Sequence, residues 1–204
     1  MDVDRLDHPT GLAEVLSRRQ LALGAASVLL VGPQAHAADP GREYRRQWRS
    51  WTEKLVVYRN FGTVMLVRGT LLEPEFRSTL ADERHRLLGE ADTGDEVFRD
   101  QMQRDGTEFH ECVLGADWGL NGRPRFGEGD DRWNLRLEVD GTPAPLHRAE
   151  HIRRPTPVHE ALYPQLDQWN QLWIARFTRV SNRPKKVQLH VGSGYGNGTL
   201  EWNL

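Results

Sequence analysis

Five histidines in the second half of the chain, His110, His147, His151, His159 and His190, are the residues best suited by type to acid–base or metal chemistry. Glu111, Glu150 and Glu160 stand beside three of them. Imidazole and carboxylate together make a general base, or with further donors a metal site. On a helix, His147 and His151 would be neighbours about 6 Å apart and could hold one ion. On a strand, at about 3.3 Å per residue, the same spacing separates them by about 13 Å, too far for one ion. Pro143, Pro145, Pro155 and Pro157 hem the segment in and favour an extended chain there. His147, Glu150 and His151 are therefore weak metal candidates. His110 precedes Glu111, but no second histidine follows at the spacing of a zinc-protease helix. His190 shares a strand face with Gln188, opposite Val187, Leu189 and Val191, and is expected to face solvent.

Other groups have less to offer. Cys112 is the single cysteine, so no intramolecular disulfide can form; with Glu111 beside it, nothing lowers the thiol pKa, and a buried, inert side chain is expected. No Gly-x-Ser-x-Gly elbow or Ser-x-x-Lys pair points to acyl transfer. Asp130 and Asp131 are adjacent rather than facing, and carry no glycosidase geometry. The glycine-rich stretch from Gly192 to Gly198 has the look of a phosphate loop, but a phosphate loop needs a helix after it. The residues that follow, Thr199 to Leu204, alternate as a strand, so a hairpin turn is expected instead. No catalytic residue is assigned.

One segment has the composition of a binding loop. Asp117 to Asp131 is long and mixes aromatics, arginines, acids and glycines. Trp118 and Phe126 could stack on a ligand or pack on a protein, with Arg123 and Arg125 holding carboxylates. Asp117, Glu128, Asp130 and Asp131 are oxygen ligands of the kind calcium takes, without EF-hand spacing. The alternative is that both aromatics fold back and plug one end of the domain. Asp117, Trp118, Arg123, Arg125 and Phe126 are the candidate partner-binding residues.

These groups must be positioned by elements legible in the sequence pattern. Tyr44, Trp48 and Trp51 recur at the spacing of a short helix. Lys54–Arg59 and Thr63–Leu72 read as strands joined by a turn. Glu73-Pro74 opens a helix that Gly89 stops, with Phe76, Leu80, Arg84, Leu87 and Leu88 at helical spacing. A second helix is expected over Asp95–Arg104, with Val97, Phe98 and Met102 inward. From Thr107 the period changes to two: Thr107–Gly115 and Arg132–Val139 alternate, the latter closed by an Asp140-Gly141 turn. Trp173, Ala175 and Phe177, then Val187, Leu189 and Val191, then Leu200, Trp202 and Leu204 continue the alternation. Pro155–Leu166 holds one short helical turn. About seven short strands around a helical insertion predict a mainly β fold, an antiparallel immunoglobulin-like β-sandwich. An α+β two-layer arrangement, with the helices on one sheet, is the alternative.

The N-terminal stretch says where such a domain would work. Ser17-Arg18-Arg19-Gln20-Leu21-Ala22-Leu23 precedes an apolar run to Val31 and then Ala35-His36-Ala37. It resembles the twin-arginine signal peptide of bacteria, the tag of proteins exported folded. It departs from that pattern in having Leu21 where Phe is commonest and no Lys after it. The apolar run is about 11 residues, too short to cross a hydrocarbon core about 30 Å thick. The resemblance implies cleavage after Ala37, passage through the twin-arginine translocase and a periplasmic location without a membrane anchor. The resulting organisation is a signal peptide over 1–37, a lead-in over 38–52 and one β-rich domain over 53–204. The leader carries three arginines against four acids, so its removal takes the formal charge from -2 to -1. With both signs interspersed, no nucleic-acid partner is expected. The expectation is an exported, non-enzymatic binding module without a cofactor, whose partner is a periplasmic protein or envelope component. A small metalloprotein using histidine ligands, with a transition metal or calcium, is the alternative.

Overall fold

The period-two segments form two antiparallel sheets, and the helices gather on one of them. The computed structural model describes residues 39–59, 62–89, 94–117, 126, 133–166, 170–194 and 196–204. In chain order the elements are α1 (Arg42–Ser50), β1 (Thr52–Arg59), β2 (Gly62–Leu71), α2 (Pro74–Leu88), α3 (Asp95–Glu108) and β3 (Phe109–Asp117). There follow β4 (Trp133–Val139), β5 (Thr142–Ala144), β6 (Leu146–Ile152), α4 (Pro157–Leu162), β7 (Gln171–Thr178), β8 (Lys186–Ser193) and β9 (Gly196–Asn203). One sheet has the order β1-β2-β3-β7-β6 and the other β5-β4-β8-β9.

The two sheets share a hydrophobic core, so the arrangement is β-sandwich-like. Leu135, Leu137 and Val139 from β4, Val187, Leu189 and Val191 from β8, and Leu200 and Trp202 from β9 meet Met65, Val67, Cys112, Leu114, Trp173, Ala175 and Phe177 from the first sheet. Alternation is strict in β4 because only one face of the second sheet is covered. The sheets come closest where β1 lies over β9, and the glycines of the C-terminal stretch make that possible. A Cβ on Gly196 would stand 2.8 Å from Val57 Cγ1, and one on Gly198 would collide with the Leu55 side chain. The expected hairpin is present, its ladder closing at Ser193↔Gly196. The Asp140-Gly141 turn has φ of 49° and 79°, the left-handed pair of a type I′ hairpin.

A second core fills the opposite face of the five-stranded sheet. Tyr44 from α1, Phe76 and Leu80 from α2, Met102 from α3 and Leu162 from α4 cover Leu72, Val113 and Leu172. The lead-in segment thus contributes a helix to this layer, its Tyr44 hydroxyl donating to the Leu162 carbonyl. Strand β3 is buried on both sides as a result, from His110 to Ala116.

Several details differ from the sequence expectation. Among the described residues there are nine strands: β5 is only three residues long and contains Pro143, and β6 is a sheet edge without clean alternation. Helix α3 runs on to Glu108, because the strand ladder starts only at Phe109↔Thr178. Val97 is 68% exposed, since Phe98 and Met102, one turn apart, take the inward face of α3. Leu204 is 47% exposed because the last ladder pair is Lys186↔Asn203, one residue earlier.

Candidate functional site

The residues singled out from the sequence do not form one site. His147 and His151 lie on β6, the extended case, and each ring is engaged separately: His147 against Phe109 at 4.8 Å and His151 stacked on Trp173 at 4.7 Å. Glu150 takes the face opposite His151 and pairs with Arg148 at 3.4 Å. Among the described residues no group of three His, Cys, Asp or Glu side chains converges on a point. Asp117 ends β3, paired with Leu66. Phe126 is fully buried, its ring edge-on to Trp173 at 5.3 Å and Trp133 at 6.3 Å, so it packs into the inter-sheet core. Trp118, Arg123, Arg125, Glu128, Asp130 and Asp131 lie outside the described residues, as does the N-terminal leader. His190 is half-buried on the outer face of the second sheet, its Nδ1 2.9 Å from Thr199 Oγ1. Cys112 is buried, and desolvation, with Glu73 and Glu111 nearby, pushes its thiol pKa well up.

The chemistry that the structure does bring together starts at His110 and Glu111. Successive strand residues point to opposite faces, so these two occupy the two sides of β3. On the side of the inter-sheet core, His110 is fully buried and its Nδ1 lies 2.7 Å from Glu73 Oε1. Its Nε2 accepts the Val180 N–H at 3.4 Å, so Nδ1 is the nitrogen that donates to Glu73. The other oxygen of Glu73 accepts from Arg179 Nη1 at 3.1 Å. That guanidinium also donates to the carbonyls of Ser181 and Phe109.

On the helix side, Glu111 Oε2 accepts from Arg77 Nη2 at 2.9 Å, and Oε1 lies 3.6 Å from Arg176. Arg176 reaches Asp105 at 3.4 Å. Arg77 donates further to the carbonyls of Leu72, at 2.8 Å, and Met102, at 3.3 Å. Gly106 makes room for it: a Cβ there would stand 3.1 Å from Arg77 Cδ. Three acids, Glu73, Asp105 and Glu111, thus face three arginines, Arg77, Arg176 and Arg179, across β3. Buried charges are costly unless paired and hydrogen-bonded. All six are paired here, and Glu73, Glu111, Arg77 and Arg179 also hydrogen-bond within the cluster. The Nε atoms of Arg176 and Arg179 have no hydrogen-bond partner among the described residues. Tyr163 lies near this cluster, and burial, followed by the Glu111 charge, drives its phenol pKa up.

Glu73 is also part of the wall of a surface cavity of about 540 Å³. Four segments meet there: the end of α1 (Ser50, Trp51), the β2–α2 corner (Glu73, Pro74, Glu75), the β7–β8 connection (Asn182, Arg183, Pro184) and the chain end (Asn203, Leu204). Each is fixed from behind. The Trp51 carbonyl accepts Trp202 Nε1–H at 3.0 Å and Leu71 N–H at 2.9 Å, and its ring stacks on Phe76. Glu73 is held by His110 and Arg179. The Leu204 N–H donates to Lys185 O at 2.8 Å. Pro74 starts α2 with its φ already fixed. The volume lies in the range of small-molecule sites, roughly 300–1,000 Å³.

Sequence reasoning read Glu73 only as the opening of a helix and missed Arg179 and the cavity. Glu73, His110 and Arg179 are far apart in the chain, and no local pattern links them. The one available signal was an acidic residue at the entry to α2 followed by proline, which marks a corner. Compared with protein-family models, curated proteins and solved structures, the chain matches none.

Proposed function

We propose that the chain is a non-enzymatic binding module, exported to the periplasm by the twin-arginine translocase, that takes a small envelope-derived ligand in the cavity between Trp51, Glu73 and Arg183. The observation that carries this reading is how the groups behind the cavity are used. A histidine and a glutamate in contact have the makings of a general base. Here both His110 nitrogens and both Glu73 oxygens are engaged inside the fold. Those contacts hold the cavity wall in shape and occupy both ring nitrogens of His110 inside the fold. Preformed walls lower the ordering cost of binding.

The immunoglobulin-like part of the fold expectation rests on the two-sheet architecture. Immunoglobulin domains send their third strand to the facing sheet, whereas here β1, β2 and β3 are consecutive neighbours in one sheet. The proposed site lies where a strand-to-helix corner meets a strand connection.

Two measurements test the proposal. Replacing Arg18 and Arg19 together by lysine is expected to leave the protein in the cytoplasm, and the exported form is expected to begin at Ala38; export that survives the double replacement would refute the leader assignment. Elemental analysis of the exported protein addresses the metalloprotein alternative. Stoichiometric zinc, copper, iron or calcium, lost on joint replacement of His147 and His151, would overturn the non-enzymatic reading in favour of that alternative.

A further inference from the structure

Two opposite charges line the cavity without being used by the fold. Glu75, in the first turn of α2, and Arg183, in the β7–β8 connection, are both exposed and both border the space. Among the described residues neither makes an ion pair, with each other or with a neighbour. Glu73, by contrast, is already neutralised by Arg179. Among the described residues that line the cavity, Glu75 and Arg183 are thus a carboxylate and a guanidinium that no ion pair occupies. The remaining walls of the cavity include Trp51, Pro74 and Pro184, which are apolar and stiff, and the amide of Asn182.

That arrangement discriminates among ligands by charge. A guanidinium is a fork for carboxylate, and a carboxylate accepts readily from an ammonium group. A ligand with a carboxylate alone would satisfy Arg183 while meeting Glu75 as a like charge. A ligand with an amine alone would have the reverse problem. Only a molecule bearing both signs complements both residues.

Resting on the reading of this cavity as a binding site, we infer that it takes a small zwitterion with an apolar group. Its carboxylate lies on Arg183, its ammonium on Glu75, and its apolar part against Trp51, Pro74 and Pro184. A free apolar amino acid and a short apolar peptide share this chemistry and differ in how far the two charges are separated.

The test is a nuclear magnetic resonance titration of the purified, ¹⁵N-labelled protein with four probes: L-leucine, the dipeptide Leu-Leu, 4-methylpentanoate and 3-methylbutylamine. L-leucine or Leu-Leu is expected to shift the signals of Trp51, Asn182 and Asn203 saturably, and the two singly charged probes to bind about tenfold more weakly, the worth of one charge-assisted contact. Tighter binding of Leu-Leu identifies the peptide, tighter binding of L-leucine the free amino acid. Arg183→Gln and Glu75→Gln, both at exposed positions, are each expected to weaken the zwitterion about tenfold. Arg183→Gln should spare 3-methylbutylamine, and Glu75→Gln should spare 4-methylpentanoate. A singly charged probe that moves the same signals as tightly as the zwitterions overturns the zwitterion assignment and leaves the cavity a binding site. Signals unmoved by all four probes overturn both.

Discussion

Removing Arg77 tests whether the buried charges hold the helix layer to the sheet. In Arg77→Leu, Glu111 keeps a buried carboxylate whose nearest remaining cation is Arg176, at 3.6 Å and already shared with Asp105. The Leu72 and Met102 carbonyls lose a donor as well. Breaking one side of a buried pair costs about 3–5 kcal/mol, most of it the uncompensated charge left behind. Arg77 and Glu111 side chains are each 4% exposed, so solvent relieves little of this. The double variant Arg77→Leu/Glu111→Leu removes that charge, and Asp105 retains Arg176. It is therefore expected to be about 2 kcal/mol or more stable than Arg77→Leu alone, since apolar replacements of buried pairs are often near neutral. Urea unfolding followed by circular dichroism gives both numbers, provided the slope with denaturant stays constant. A loss under about 1 kcal/mol for Arg77→Leu, or a double variant less stable than the single one, would refute the argument.

Three further outcomes are expected. Gly198→Ala should destabilise by about 1–3 kcal/mol through overpacking against Leu55, although alanine in a strand ordinarily gains about 0.5–1 kcal/mol over glycine; Leu55→Ala in the same chain should recover part of the loss in urea unfolding, and a gain from Gly198→Ala alone would contradict the close approach of β1 and β9. Cys112 should resist a thiol reagent in the folded protein and react at once in urea, because burial raises its pKa; rapid labelling without denaturant would place it elsewhere. His159 Nδ1 accepts the Thr156 N–H at the start of α4, and burial holds the imidazole pKa below its usual value. Its contribution is complete above the unfolded pKa, about 6.5, and lost as pH falls through the lower folded pKa. Amide exchange in α4 should accelerate across that window, by an amount at the low end of the roughly 0.5–2 kcal/mol of a lost cap; His159→Gln, which caps without titrating, should abolish the pH dependence.

How far the sequence could be read depended on the range of the forces at work. Helix α2 was legible at both ends because Pro74 and Gly89 act through their own backbones. Strand β4 was legible because one of its faces is wet. Where burial is two-sided or incomplete, the pattern fades. Residues His110 to Ala116 of β3 are buried on both faces, so alternation there says nothing about which side His110 takes. Edge strand β6 is incompletely buried along its length, and its histidines suggested chemistry more readily than a sheet margin. The Gly192–Gly198 stretch was legible as a turn, but the need for Gly196 and Gly198 lies in Val57 and Leu55, on a strand from the other end of the domain.

The cavity marks the limit of local reading for a physical reason. Its walls come from four places in the chain, and one of them, the β2–α2 corner, is fixed through a buried carboxylate, Glu73, that no periodicity scale treats as inward. Arg77, Glu83, Asp105 and Glu111 are buried, and a pattern based on hydrophobicity puts every one of them outside. Burial by itself would raise the Glu83 carboxyl pKa, yet hydrogen bonds from Arg86 and the Gly41 N–H outweigh it and hold the group ionised below its usual range. Glu73 and Glu111 are likewise met by side chains from more than one element: a carboxylate can replace an apolar residue inside the fold when several donors converge on it. Such convergence imposes a geometry that greasy packing does not. A leucine in place of Glu73 could tolerate some sliding of the β2–α2 corner, whereas a carboxylate shared between His110 and Arg179 cannot. The charges that make the core harder to read are thus the ones that set the corner beside Glu75 at a fixed distance from the connection beside Arg183, and a ligand site with two opposite poles requires that distance to be fixed.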